Sequence, residues 1–128
     1  MVAWNDYKKM AKERGSLAFE LFVCESTPAK TVVDLQVNLP AHLEYQKAQE
    51  TAGTLVFAGP MSDITGELMQ GTGMIVYRAT SMDEARRIAD ADPMHTSGTR
   101  IYVLRKWLIN EGSLSLNVGL STNKVCLS

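Results

Sequence analysis

Cysteine is scarce in this chain of 128 residues, which contains only Cys24 and Cys126. One lies in an apolar stretch and the other in a polar tail, so they form neither a disulfide framework nor a metal-spaced pair. Cys24 reads as a core thiol and Cys126 as a tail residue. Surplus charge is also missing. The formal net charge is -1, and Lys and Arg are scattered, which argues against a surface for nucleic acid or anionic membranes. No apolar run approaches the roughly 20 residues of a membrane span. The polar start, Met1 to Met10, lacks the basic-then-apolar layout of a secretory signal, so a cytoplasmic location is expected. Gly71-Thr72-Gly73 enters a strand without the helix a phosphate loop needs, and no Gly-x-Ser-x-Gly elbow occurs. A metal would have to draw on His42, His95 and scattered carboxylates that share no spacing motif, so neither metal nor cofactor is expected.

The length suits one compact domain over 1–128, with its core at about 17–109 and no need of disulfides or metal. A short helix at 3–14 stops at Gly15. Leu17 to Cys24 reads as a mostly buried strand. The connection from Ser26 to Leu39 is unassigned, with room for a short strand or helical turn at 32–37. Pro40 suits the first turn of a helix reaching about Thr51, and Gly53 ends it. Strands follow at 54–59 and 73–79. Ser81-Met82-Asp83-Glu84 is a capping box opening a helix that Pro93 ends at Asp92. A strand runs from Arg100 to about Ile109, and Leu114, Leu116, Val118 and Leu120 alternate as one more.

This order predicts an α+β fold, a ferredoxin-like βαββαβ unit with an added N-terminal helix and C-terminal strand, both core helices covering one face of an antiparallel sheet. The strands at 17–24 and 100–109 carry apolar residues on both sides. Sheet-to-sheet stacking of a second copy would cover the bare face, giving a dimeric α+β barrel.

Two ionisable residues stand where apolar groups belong. Asp92 continues the stripe Ala85, Ile88, Ala89 at i, i+3, i+4, i+7, where a carboxylate is costly unless paired. His42, Tyr45, Gln46 and Gln49 form a polar, nearly uncharged stripe that suits a pocket wall. An imidazole beside Asp92 would be held in one tautomer and raised in basicity, a competent unit for proton transfer. Alternatively His42 packs at its helix start and Asp92 caps a turn.

The segments Leu39-Pro40-Ala41-His42-Leu43, Gly53 to Pro60, Gly73-Met74-Ile75-Val76, Ala89-Asp90-Ala91-Asp92-Pro93 and Val103 to Trp107, in that order, resemble the YCII-related family. The resemblance implies a ferredoxin-like fold, a dimeric barrel and a site formed by a histidine and an aspartate, which fall on His42 and Asp92. Within that superfamily the chain is most similar to the branch containing chlorohydroxyhydroquinone dehydrochlorinase, and more distantly to muconolactone isomerase. The implied activity is a cofactor-free lyase eliminating chloride from a hydroxylated chloroaromatic such as 5-chloro-2-hydroxyhydroquinone, in aromatic-compound catabolism. Muconolactone-type isomerisation or non-catalytic binding of a small molecule are the alternatives. The implied partners are the aromatic substrate and a second copy.

Further candidates for substrate binding have simpler readings beside them. Asp63 suits turn chemistry after Pro60. His95 reads as an exposed loop histidine that could line the same mouth. Arg100 could bind a phenolate or departing chloride, yet such arginines more often pair with surface acids. Tyr45 and Trp107 could stack on a ring, although a tryptophan between Val103 and Ile109 is more often core.

Overall fold

The computed structural model describes all residues, Met1–Ser128, and they fall into two compact units. Residues 20–107 form one; residues 1–19 and 108–128 form the other. In the larger unit the strands β1 (Phe19–Pro28), β2 (Leu55–Pro60), β3 (Gly73–Tyr77) and β4 (Arg100–Ile109), two of which run on past its limits, make a four-stranded sheet in the order β2-β3-β1-β4. The long helix α2 (Val32–Ala52) joins β1 to β2, and α3 (Met82–Ala91) with the single-turn α4 (Pro93–Thr96) joins β3 to β4. This is the expected α+β, ferredoxin-like arrangement with an antiparallel sheet.

Alternation along the strands decides which residues face the helices. Phe22 and Cys24 on β1 pair with Tyr77 and Ile75 on β3. All four are buried and join Leu104, Ala85 and Ala89 in the core. Ser26 follows in the same period and is also buried, because β1 runs to Pro28 rather than ending at Cys24. In the β2–β3 pairing Leu55 meets Tyr77 and Phe57 meets Val76, so Val56 is the extra residue of a bulge.

The region left unassigned in the sequence is helical. α2 starts eight residues before the expected Pro40, because Thr31 caps it and exchanges hydrogen bonds with Asp34: the Asp34 amide donates to Thr31 Oγ1 at 3.3 Å and the Thr31 amide to Asp34 Oδ2 at 3.2 Å. Pro40 therefore lies inside the helix. Gly53, left-handed at φ 80°, closes it. The Ser81 cap of α3 accepts from the Glu84 amide at 3.1 Å as expected, but the Glu84 carboxylate reaches back to the Thr80 amide rather than to Ser81. No helix is long and apolar enough to cross a membrane.

The smaller unit holds α1 (Trp4–Glu13) and the two-stranded pair β5 (Leu116–Val118) and β6 (Val125–Leu127). The single strand expected over 114–120 is instead three residues long. Its partner β6 is the apolar triplet Val125-Cys126-Leu127, too short to stand out at the end of the polar stretch Ser121 to Lys124.

Candidate active site

α2 presents Val32, Leu35, Leu39 and Leu43 along one side, with His42 and Gln46 beside them. These residues wall an open cleft of about 570 Å³. The opposite wall is the β2–β3 end of the sheet (Ala58 to Pro60, Gly71 to Ile75), and Ser26, Met94 and Arg100 close it. The lining is apolar apart from a few convergent polar groups, the usual character of a small-molecule site.

His42 and Asp92 meet here. His42 Nδ1 lies 2.8 and 2.9 Å from the two carboxylate oxygens of Asp92. Asp92 is fully buried, while the His42 side chain keeps 18% of its exposure. Pro93 forces Asp92 out of helical geometry, so Asp92 ends α3 and caps α4, accepting the Met94 amide at 2.9 Å on Oδ1. The simpler reading holds in part for Asp92, which is a cap and also pairs with His42, but not for His42, which lies in the middle of α2 rather than at a helix start. A carboxylate can only accept, so Nδ1 carries the proton that faces it. Nε2, without a protein partner, is the basic nitrogen left for a ligand.

The remaining candidates separate. Arg100 lines the cleft. Contrary to expectation it pairs with no acid: Nε donates to Ser26 Oγ at 2.9 Å, and Nη2 to the Ser26 carbonyl at 2.7 Å and to the Gly71 carbonyl. Burial lowers its pKa, opposed by the nearby Asp92 charge. His95 is half-buried rather than an exposed loop residue, because it sits on α4 with its ring against Tyr102. Its Nδ1 faces the Ala89 carbonyl at 2.6 Å and its Nε2 faces Ser26 Oγ at 2.8 Å, so it stands one residue behind the cleft wall.

Tyr45 donates to the Ile88 carbonyl at 2.6 Å, tying α2 to α3. Burial, with Asp92 adding to it, raises its pKa. It lines no part of the cleft. Asp63 holds its turn together, accepting from Thr65 Oγ1 at 2.6 Å and from the Thr65 amide at 3.1 Å; those bonds lower its pKa. Trp107 is neither core nor cleft. It is 45% exposed and lines a separate hollow of about 280 Å³ with Val23, Glu25, Met74 and Val103.

Ser26 was not singled out from the sequence and becomes legible only once β1 is extended. Gln46, one turn beyond His42 on the stripe expected to form a pocket wall, does line the cleft and has a buried Oε1 with no hydrogen-bond partner. No three His, Cys, Asp or Glu side chains converge as a metal site would require.

The geometry has relatives. The profile of the YCII-related domain matches residues 20–108. The uncharacterized protein YjpA of Bacillus subtilis (strain 168) is 30% identical over 76 residues, covering 59% of this chain and 82% of that protein. Among solved structures, 5-chloro-2-hydroxyhydroquinone dehydrochlorinase (TftG) from Burkholderia phenoliruptrix AC1100, in complex with 2,5-dihydroxybenzoquinone, superposes with a TM-score of 0.53 at 20% identity. That match covers 68% of this chain and 92% of the other, and it speaks to the fold. With its profile matched across the whole sheet-and-helix unit, the chain belongs to the YCII-related family.

Proposed function

We propose that the protein is a cofactor-free lyase that eliminates chloride from a hydroxylated chloroaromatic, 5-chloro-2-hydroxyhydroquinone being the reference substrate. The observation that carries this reading is a buried Asp92 holding His42 with its Nε2 free beside an apolar cleft. Such a pair suits proton transfer to or from oxygen near neutral pH. The superposed dehydrochlorinase acts on a substrate whose chemistry needs that transfer.

Loss of HCl from a chlorinated trihydroxybenzene requires no outside oxidant. One hydroxyl proton is transferred to the chlorine-bearing carbon. A second passes to His42 Nε2, its electron pair forms a carbonyl, and chloride leaves with the C–Cl pair to give a hydroxyquinone. Asp92 keeps the Nδ1 proton in place and stabilises the imidazolium that results, the role a carboxylate plays behind an imidazole in hydrolytic triads. The largely apolar walls give the intermediate a surface of low polarity.

Chloride release, followed anaerobically beside the ultraviolet spectrum, tests the assignment. The expected result is enzyme-dependent chloride with a hydroxyquinone spectrum, lost on His42→Ala by about 10²- to 10⁴-fold. Full activity in that variant overturns it. Isomerisation of a muconolactone is the neighbouring reaction the same pair would serve, and binding without turnover is the non-catalytic outcome.

We also propose that a second copy covers the outward sheet face. The support is its run of exposed apolar groups on β4, Ile101 (61%), Val103 (55%) and Trp107 (45%).

A further inference from the structure

We propose that the cleft carries a built subsite for an organic anion, with Arg100 as its cationic anchor and Ser26 and His95 as positioning residues behind it. The proposal shares its cleft with the lyase reading but does not depend on chloride elimination.

Arg100 is half-buried, yet every acceptor that holds it is neutral: Ser26 Oγ, the Ser26 carbonyl and the Gly71 carbonyl. The Asp92 carboxylate favours the charged guanidinium. It is not an ion-pair partner, because its oxygens are taken by His42 Nδ1 and the Met94 amide. Fully buried cations are ordinarily paired; this half-buried one has no carboxylate in direct contact, and it stands in a wall that is otherwise largely apolar. Its Nη1 has no protein partner and remains available to a ligand.

The groups behind it fix its direction. His95 Nδ1 faces the Ala89 carbonyl, which can only accept, so the ring proton sits on Nδ1 and Nε2 accepts from the Ser26 hydroxyl. With its hydrogen so committed, Ser26, 2% exposed, presents a lone pair to Arg100 Nε. On the far side Gly71 has φ +97°, and a Cβ there would stand 2.7 Å from Pro28 Cγ. Only glycine turns that carbonyl toward the guanidinium. Two nitrogens are thereby tied by backbone and buried side chains while Nη1 is left open, the arrangement expected of an arginine that recognises carboxylate or phenolate. The apolar walls add a preference for a flat hydrocarbon body.

Calorimetric titration with benzoate and with benzamide, alike in shape but differing in charge, tests this in chloride-free buffer at pH 7 and constant ionic strength. The native protein is expected to prefer benzoate. Arg100→Gln should weaken benzoate binding by about tenfold or more, the scale of one charge-assisted hydrogen bond, and leave benzamide binding unchanged, which also shows that the cleft is folded. Should that variant bind neither, Arg100→Lys replaces it, keeping charge but losing the Nε tether, with only part of the preference retained. Ser26→Ala and His95→Leu should each reduce the preference severalfold with Arg100 present, and His95→Gln, which can still accept from Ser26, should restore it. No benzoate preference in the native protein, or a preference that survives in Arg100→Gln, overturns the anchor. Equal losses for both ligands in Ser26→Ala and His95→Leu overturn the positioning roles. An anion preference that depends on Arg100 without chloride release from any chlorinated quinol overturns only the lyase reading.

Discussion

Asp92 is the residue on which most of the candidate site turns, because one side chain both caps α4 and orients His42. The Asp92→Asn variant separates the two tasks. Its amide oxygen still caps the Met94 amide, but its NH₂ would oppose Nδ1–H, so the His42 proton moves to Nε2 and the basic nitrogen turns away from the cleft. Activity should fall by about 10³- to 10⁴-fold, while the thermal midpoint shifts by only a few degrees. Chloride release measured beside a melting curve checks this, and a variant with native turnover would remove Asp92 from the mechanism. The position of Asp92 was legible in the sequence, since a carboxylate on an apolar stripe needs a partner. The neutral setting of Arg100 was not, because its acceptors are a serine and two carbonyls brought from β1 and the loop before β3, and carbonyls leave no mark in a pattern of residue types.

At the scale of elements, α2 is the member that the sequence disguised. Pro40 reads as a helix start, and here it is an interior residue that removes the amide bond to the Gln36 carbonyl. The helix persists across it because Thr31 and Asp34 seal its beginning and Gly53 closes its end. Pro40→Ala restores an amide and raises helix propensity, so it should stabilise the protein by about 1 to 3 kcal/mol. A urea midpoint unchanged or lowered would show that the proline is matched to its surroundings. The capping box Thr31-Val32-Val33-Asp34 was the missed signal. β5 and β6 were half-legible for a different reason: three-residue strands hold too few residues for alternation to speak clearly.

For the molecule as a whole, burial of ionisable side chains sets a pH limit. Burial lifts the Cys24 thiol from an ordinary 9.0 to about 12, and burial with the Asp90 hydrogen bond lifts Tyr102 from 10.0 to about 12. Tyr77, among the most buried side chains, is raised as well. The folded state therefore keeps protons that the unfolded chain releases, so stability is full below about pH 9 and falls as pH rises from 9 toward 12. Urea midpoints taken from pH 7 to 11 should decline only in the upper half of that range, and less steeply in Cys24→Ala. The proposed second copy is tested at the same scale. Sedimentation at micromolar concentration should give a dimer that Trp107→Glu dissociates, and a native monomer would overturn the barrel.

Composition and periodicity by themselves determined the α+β class, the order of the main strands, and the two residues His42 and Asp92 that violate the apolar pattern. These are local properties, written in the spacing of side chains along one element. Tertiary structure alone decided that Arg100 has no acid, that His95 stands behind Ser26, that Tyr45 ties two helices and that Trp107 faces another hollow. Each of those depends on which elements the sheet order brings together, and hydrogen bonds to backbone carbonyls across 6 to 74 residues of sequence separation obey geometry rather than any residue code.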